Sequence, residues 1–163
     1  MLFGYAYWVR DRVLDCAAKL SSAEFTVPSA ITTRNLRGTL VHTLDVQSSW
    51  RARLQGRPET AWKGELAVAD YPTVGILAER WRRDEDEMRR WLATLTDETL
   101  AKELRVEASP YPLWYYLLHV HTHTLQQLAD AATLLTRMLH SPGNLEFLEY
   151  ADDLVRRKTG VSS

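Results

Sequence analysis

The sequence predicts an all-α protein, a four-helix bundle with a long crossover between helices two and three. Apolar residues recur at three- and four-residue spacing in four long segments, and no segment alternates convincingly as a strand does. A connection of about sixteen residues, 56–71, separates the second and third segments. A link of that length can cross over, so that the helices it joins run parallel.

The composition favours one globular domain in a reducing compartment. The chain has 163 residues, of which 45% are hydrophobic, which suffices for a sizeable core. Twenty basic and twenty-one acidic residues leave no electrostatic footprint for nucleic acid. The single Cys16 cannot form an internal disulfide, and no run of about 18 apolar residues could span a membrane. We therefore expect a cytoplasmic protein that binds neither nucleic acid nor membrane.

The first half of the chain contains two of the four helices. The first is predicted over residues 2–20, and residues 22–30 are expected to form an irregular connection because Pro28 and β-branched residues occur there. Thr33 or Asn35 is a suitable N-cap for the second helix, which runs to Gln55 and ends at Gly56.

The third helix is predicted to begin at Pro72 with Asp70 as its cap. It carries an apolar stripe of Val74, Leu77, Trp81, Met88, Trp91, Leu92 and Leu95 on an otherwise charged surface. Asp84 falls within this stripe, where a carboxylate costs free energy unless it is paired or bound to a cation. Two alternatives follow: Asp84 pairs with a nearby arginine, or it supports a metal site from behind the ligands.

The fourth helix is the longest, over residues 112–139, and residues 104–110 alternate too weakly to predict a strand. Its core face is expected to comprise Leu113, Trp114, Leu117, Leu128, Ala132 and Leu135. His121 falls in the middle of this face and is interpreted as a core histidine that donates to a backbone or tyrosine partner. Residues 1–150 then form the bundle, with a short docked helix near 145–150, and residues 151–163 form a partly frayed tail.

The histidines of the fourth helix are the main functional signal. His119, His123 and Gln127 lie one helical turn apart and form a column along the margin of the core face. Two imidazoles four residues apart can bind one metal ion, and a catalytic site needs one more ligand and an open position. His42, at the edge of the stripe of the second helix, is the candidate for that ligand. For His42 and His123 the competing interpretation is a pair of hydrogen-bonded interior histidines.

Several segments in order resemble the DinB-like superfamily of damage-inducible four-helix metalloproteins. They cover nearly the whole chain: residues 2–8 (LFGYAYW), 36–44 (LRGTLVHTL), 50–56 (WRARLQG), 118–139 and 142–150 (PGNLEFLEY). The resemblance implies an up-down-down-up bundle, often dimeric, that holds a divalent metal such as zinc or nickel with three histidines.

The ligand set that the resemblance implies is incomplete in this sequence. One ligand from helix two matches His42, and an ungapped match places the other two at His123 and Gln127. An amide oxygen is a weaker donor than imidazole for zinc or nickel. Three alternatives remain: His119 completes the set, Gln127 and water fill the shell with Asp84 behind them, or the site is lost.

Two hypotheses about function follow from this resemblance. Similar proteins act as thiol S-transferases that join a low-molecular-weight thiol, such as bacillithiol or mycothiol, to an electrophile in stress or detoxification. The alternative is a non-catalytic, stress-associated homodimer whose metal site has degenerated at Gln127. A metal-dependent hydrolase on the same scaffold is a further alternative, because fold does not fix chemistry.

Overall fold

The computed structural model describes residues 1–106 and 110–159, and four long helices dominate this part of the chain. The long helices are α1 (Leu2–Ala17), α3 (Leu36–Leu54), α4 (Val74–Leu92) and α6 (Leu113–Arg137). Three shorter helices accompany them: α2 (Ser22–Thr26), α5 (Asp97–Ala101) and α7 (Phe147–Thr159). The predicted all-α bundle is confirmed.

Each long helix packs against two others. α6 lies against α1 and α3, and α4 closes the bundle on the other side against the same two helices. The apolar stripes meet in one main core whose fully buried side chains include Val13, Leu40, Leu44, Leu77, Trp81, Leu128 and Leu135. This arrangement makes the α3/α6 contact the most extensive one in the bundle, and it is there that the candidate histidines lie.

The connection between α3 and α4 is long, as predicted, and it is held against α3. It contains two short 3-10 turns, Glu59–Ala61 and Val68–Asp70. An Asp45 carboxylate oxygen accepts a hydrogen bond from the Leu66 backbone N–H at 2.9 Å. The Arg53 guanidinium lies over the Trp62 ring, 4.5 Å from its centroid. These contacts make the crossover segment part of the packed structure.

The observed helix ends agree with the predicted ones where the sequence contains a clear capping residue. Asn35 caps α3 by accepting from the Gly38 N–H, and Gly56 follows the helix with a φ of 68°, which favours glycine. α4 differs from the prediction because the Thr73 hydroxyl, and not Asp70, accepts from the N-terminal turn. The helix therefore begins two residues after Pro72. α1 ends at Ala17, earlier than the predicted residue 20.

Two short elements were absent from the sequence prediction. Ser21 and Glu24 form a capping box that starts α2 within the segment predicted to be irregular. Strands β1 (Glu103–Arg105) and β2 (Pro110–Pro112) pair antiparallel as a small ribbon before α6. With three residues each, these strands are too short to show a period of two. Residues 104–110 were predicted to alternate too weakly for a strand, and this prediction is wrong at the two ends of the segment, while residues 107–109 lie outside the described residues.

α7 docks on α1 through polar and aromatic contacts. The Tyr5 hydroxyl donates to the Leu145 carbonyl oxygen at 2.7 Å, and the Trp8 indole N–H donates to an Asp153 carboxylate oxygen at 3.1 Å. The helix continues through residue 150, where the sequence places the end of the bundle, to Thr159. Within the described residues, no helix is both long enough and apolar enough to cross a membrane.

Candidate metal site

His42 and His123 face each other across the α3/α6 contact. Their ring centroids are 5.4 Å apart and the rings meet edge to face at 71°. Both side chains are half-buried. Neither imidazole makes a hydrogen bond within the part of the chain that the structure describes, and the buried Nδ1 of His123 has no partner there. The two histidines are therefore brought together, but not as the hydrogen-bonded pair that was the competing interpretation.

His119 lies on α6 one turn before His123 and is the third histidine nearby. Its ring centroid is 6.2 Å from that of His123. The ring also contacts Trp50 edge-on, at a centroid distance of 5.2 Å. His119 is exposed, in contrast to the other two. Trp50 on α3 thus holds this imidazole beside the pair and not directly against it.

The surroundings keep the paired imidazoles neutral. Burial lowers the pKa of His42 and the Arg34 charge lowers it further, and together they exceed the opposing effect of Asp45 and Glu65. Burial also lowers the pKa of His123, and the neighbouring His42 and His119 lower it further. Neutral imidazole is the form that binds a metal ion, since protonation removes the lone pair.

The His42–His123 pair fits a metal ion better than the complete trio does. Two imidazoles on one tetrahedral ion, with metal–nitrogen bonds of about 2.1 Å, have centroids roughly 5.2 Å apart. The observed 5.4 Å agrees with that value, whereas 6.2 Å for His119 and His123 is too wide. Among residues 1–106 and 110–159, no group of three His, Cys, Asp or Glu side chains is arranged to hold a metal. His119 must turn away from Trp50 to complete such a group.

Gln127 lies one turn beyond His123 on the continuous helix α6, as predicted, and is half-buried. Its position continues the column of His119 and His123 along one face. An amide oxygen at this position can supply a neutral donor in place of imidazole, but it is the weaker donor for zinc or nickel.

Asp84 belongs to a different part of the bundle. This α4 carboxylate is buried and forms an ion pair with Arg51 of α3, which also pairs with Glu87. Burial raises the pKa of Asp84, and the hydrogen bond and charge of Arg51 only partly oppose that rise. Of the two alternatives in the sequence, the arginine pair is the one observed. Asp84 thus has an arginine as its partner, and within the described residues it belongs to no group of three side chains arranged to hold a metal.

A buried polar bridge next to this ion pair was missed in the sequence. The Trp81 indole N–H donates to Gln47 Oε1 at 2.6 Å, and Gln47 Nε2 donates to the Thr124 hydroxyl at 2.9 Å. The signal was present, because Gln47 and Arg51 continue the apolar stripe of Leu40 and Leu44 at helical spacing. Polar residues at core positions predict buried hydrogen bonds.

Two expectations about α6 need correction. Trp114, predicted in the core, is 45% exposed. His121 is buried as predicted, but its Nδ1 has no hydrogen-bond partner among the described residues. Its ring lies instead against Phe3 and Tyr5, at centroid distances of 5.9 and 6.4 Å. Aromatic packing replaces the expected hydrogen bond.

Comparison with known proteins agrees with this architecture. The family model described as DinB family matches residues 1–156, which includes all four long helices and most of α7. A search of curated proteins finds no match. Since the family model covers almost the entire chain, the protein belongs to the DinB family.

Proposed function

We propose that this DinB family protein is a metal-dependent enzyme of the thiol S-transferase type, which joins a low-molecular-weight thiol to an electrophile. In this proposal His42 and His123 hold a divalent metal, zinc or nickel, between α3 and α6. The observation that supports it is the approach of two neutral imidazoles to 5.4 Å, with no hydrogen bond to either ring in the described residues. Unpartnered buried polar atoms are uncommon in proteins and call for an external partner.

The third ligand in this proposal is His119. Its nitrogen is a better donor to zinc or nickel than the amide oxygen of Gln127. His119 is exposed and is held by one aromatic contact with Trp50, so the side chain can rotate toward the pair at small cost. Gln127 is the alternative ligand, and the two are distinguished by comparing His119→Ala with Gln127→Ala.

A metal bound here would stabilise the thiolate form of the thiol, which is the nucleophile. The chain's own contribution is to fix and tune the imidazoles. Packing of α3 on α6 sets the separation of His42 and His123, and burial keeps both rings neutral at physiological pH. Trp50 limits the orientations open to His119.

The proposal is tested with tag-free protein by elemental analysis and by an assay of thiol conjugation to an electrophile panel. We expect one metal ion per chain, lost in both His42→Ala and His123→Ala, and conjugation only with the metal-loaded protein. His140→Ala is the matched control, because it removes a histidine outside the site and should change neither result. Metal binding without any conjugation would contradict the transferase activity while leaving the metal site in place.

A second candidate is a non-catalytic, stress-associated homodimer with a degenerate metal site. The observation in its favour is that the described residues contain no ready arrangement of three metal-binding side chains. This candidate function predicts that the wild-type protein binds no metal even with excess zinc, nickel or manganese. It also predicts that the protein sediments as a dimer. Stoichiometric metal that depends on His42 would contradict it.

A further inference from the structure

A second cleft lies away from the histidines, between α3, α4 and the crossover segment. Its volume is about 810 Å³, and none of the five histidines lines it. Residues from all three elements form its walls, so that a molecule bound there would contact the crossover and both helices at once.

The charges that line this cleft are unbalanced. Its walls carry four arginines but only two carboxylates, although the chain as a whole has a formal charge of −1. Both carboxylates already have partners: Asp45 accepts from the Leu66 N–H, and Glu87 pairs with Arg51. The positive charge of the remaining arginines is therefore not offset by the walls of the cleft.

Three arginines in the cleft make no ion pair and no side-chain hydrogen bond within the described residues. They are Arg57 of the crossover segment, Arg80 in the first half of α4 and Arg90 at its end. Arg80 is close enough to Asp84 to lower its pKa, but it does not bond to that carboxylate, which Arg51 holds. Guanidinium groups remain charged at all physiological pH values and bind carboxylate and phosphate oxygens through their planar donors.

The cleft also presents aromatic surface. Trp62 of the crossover segment and Trp91 of α4 both line it and are half-buried. The Trp62 indole N–H is already used, since it donates to the Arg57 carbonyl oxygen at 3.2 Å. These indoles therefore add apolar ring surface beside the arginine groups, on the parts of Trp62 that the Arg53 guanidinium does not cover, and such surface favours a planar apolar ligand body.

We propose that this cleft binds a small aromatic carboxylate, with its anionic group on Arg80, Arg90 and Arg57 and its ring against Trp62 and Trp91. A ligand so placed connects the crossover segment to α4. This binding does not depend on the metal or on the thiol chemistry proposed above, because no histidine contributes to the cleft.

The test is calorimetric titration of the full chain with 1-naphthoate. We expect saturable binding that is weakened at least about tenfold in the double variant Arg80→Gln/Arg90→Gln, because charge-assisted hydrogen bonds of this kind contribute more than neutral ones. Arg82→Gln/Arg83→Gln is the matched control, since it also removes two positive charges, from exposed positions of α4 that do not line the cleft. It should change the Kd by less than about twofold.

Three further binding experiments complete the test. The neutral analogue 1-naphthalenemethanol should bind far more weakly than 1-naphthoate, and His42→Ala/His123→Ala should bind 1-naphthoate as the wild type does. Inorganic phosphate should compete with it, because its oxygens accept hydrogen bonds from the same guanidinium groups. Absence of 1-naphthoate binding to the wild type, or an unchanged Kd in the folded double variant, would overturn the proposal whatever the outcome for the metal site.

Discussion

Helix α3 carries two polar regions that differ in how their buried atoms find partners. Toward α4, Gln47 and Arg51 bond to Trp81, Asp84 and Glu87, and of these groups Arg51 Nε has no partner among the described residues. Toward α6, His42 meets His123, and neither ring makes a hydrogen bond within the described residues. The α3 groups that face α4 thus bond within the protein, and Gln47 also reaches Thr124 of α6, whereas the two facing histidines have no such bond within the described residues.

This difference separates a structural polar cluster from a candidate binding site. Polar groups that bond to one another are compensated for their loss of water and stabilise a particular packing. Imidazoles that face each other without a bond gain no such compensation, and two imidazoles at this separation are suited to binding one metal ion. Removing a residue should therefore cost stability on the α4 side and ligand binding on the α6 side.

The largest effect is expected from Asp84→Leu. This change leaves the buried Arg51 with Glu87 as its carboxylate partner, and the Glu87 side chain is 51% exposed. Removing one member of a buried ion pair costs about 3–5 kcal/mol. We expect a loss of that size in the free energy of unfolding by urea. The double variant Arg51→Met/Asp84→Leu should recover most of it, because no charge then remains buried; a loss that persists in the double variant would show that packing and not charge is responsible.

The histidine side should respond in the opposite way. In metal-free protein, His42→Ala and His123→Ala should each change the free energy of unfolding by less than about 1 kcal/mol, since no hydrogen bond is lost. Zinc at 100 times its Kd should stabilise the wild type by about 2.7 kcal/mol and should not stabilise either variant. Thermal unfolding with and without zinc measures both. If either metal-free variant loses several kcal/mol in the free energy of unfolding, the histidine pair stabilises the fold in the same way as the polar groups toward α4.

The periodicity of apolar residues predicted the fold well, because each long helix buries a continuous stripe of apolar side chains at helical spacing. Leu40 and Leu44 on α3 and Leu77 and Trp81 on α4 are all fully buried at their predicted spacing. Asn35 and Gly56 marked the ends of α3 because capping is a local interaction. The strands of the small ribbon were missed because three residues cannot establish a period, and their pairing depends on contacts five to nine positions apart.

The candidate site was predictable only in part. The register of His119, His123 and Gln127 follows from helix geometry alone, and the structure keeps it on α6. The 5.4 Å approach of His42 depends on how α3 packs on α6, which the sequence does not specify. The contact of Trp50 with His119 is likewise tertiary. For Asp84, the sequence offered many arginines, and only the packing of α3 on α4 selects Arg51.

A smaller loss of stability is expected from Gln47→Leu. This change removes the acceptor for the Trp81 indole N–H, which is buried with 0% exposure and has no water to replace it. Thr124 is less affected, because its hydroxyl still donates to the Val120 carbonyl oxygen. One unsatisfied buried donor costs roughly 2 kcal/mol. Urea unfolding measures the loss, and the exposed Gln126→Leu on α6 is the control that should change little.

The smallest effect concerns an ion pair outside that cluster, between Arg10 of α1 and Glu85 of α4, 2.6 Å apart. Burial raises the pKa of Glu85, but the charges and hydrogen bonds of Arg10 and Arg89 outweigh it and hold that pKa below its ordinary value of 4.5. A carboxylate with a lowered pKa contributes stability above the unfolded-state value, and this contribution is lost as pH falls from 4.5 through the folded-state pKa.

Glu85→Gln should therefore remove part of the acid sensitivity of the protein. Between neutral pH and pH 4.5 the wild type should be the more stable of the two, and the difference should shrink at lower pH as the carboxylate of the wild type is protonated. Glu79→Gln on the same helix is the matched control, because Glu79 is exposed and forms no ion pair within the described residues. Parallel unfolding profiles for wild type and Glu85→Gln across this range would mean that the α1/α4 pair contributes no net stability, as is usual for an exposed ion pair.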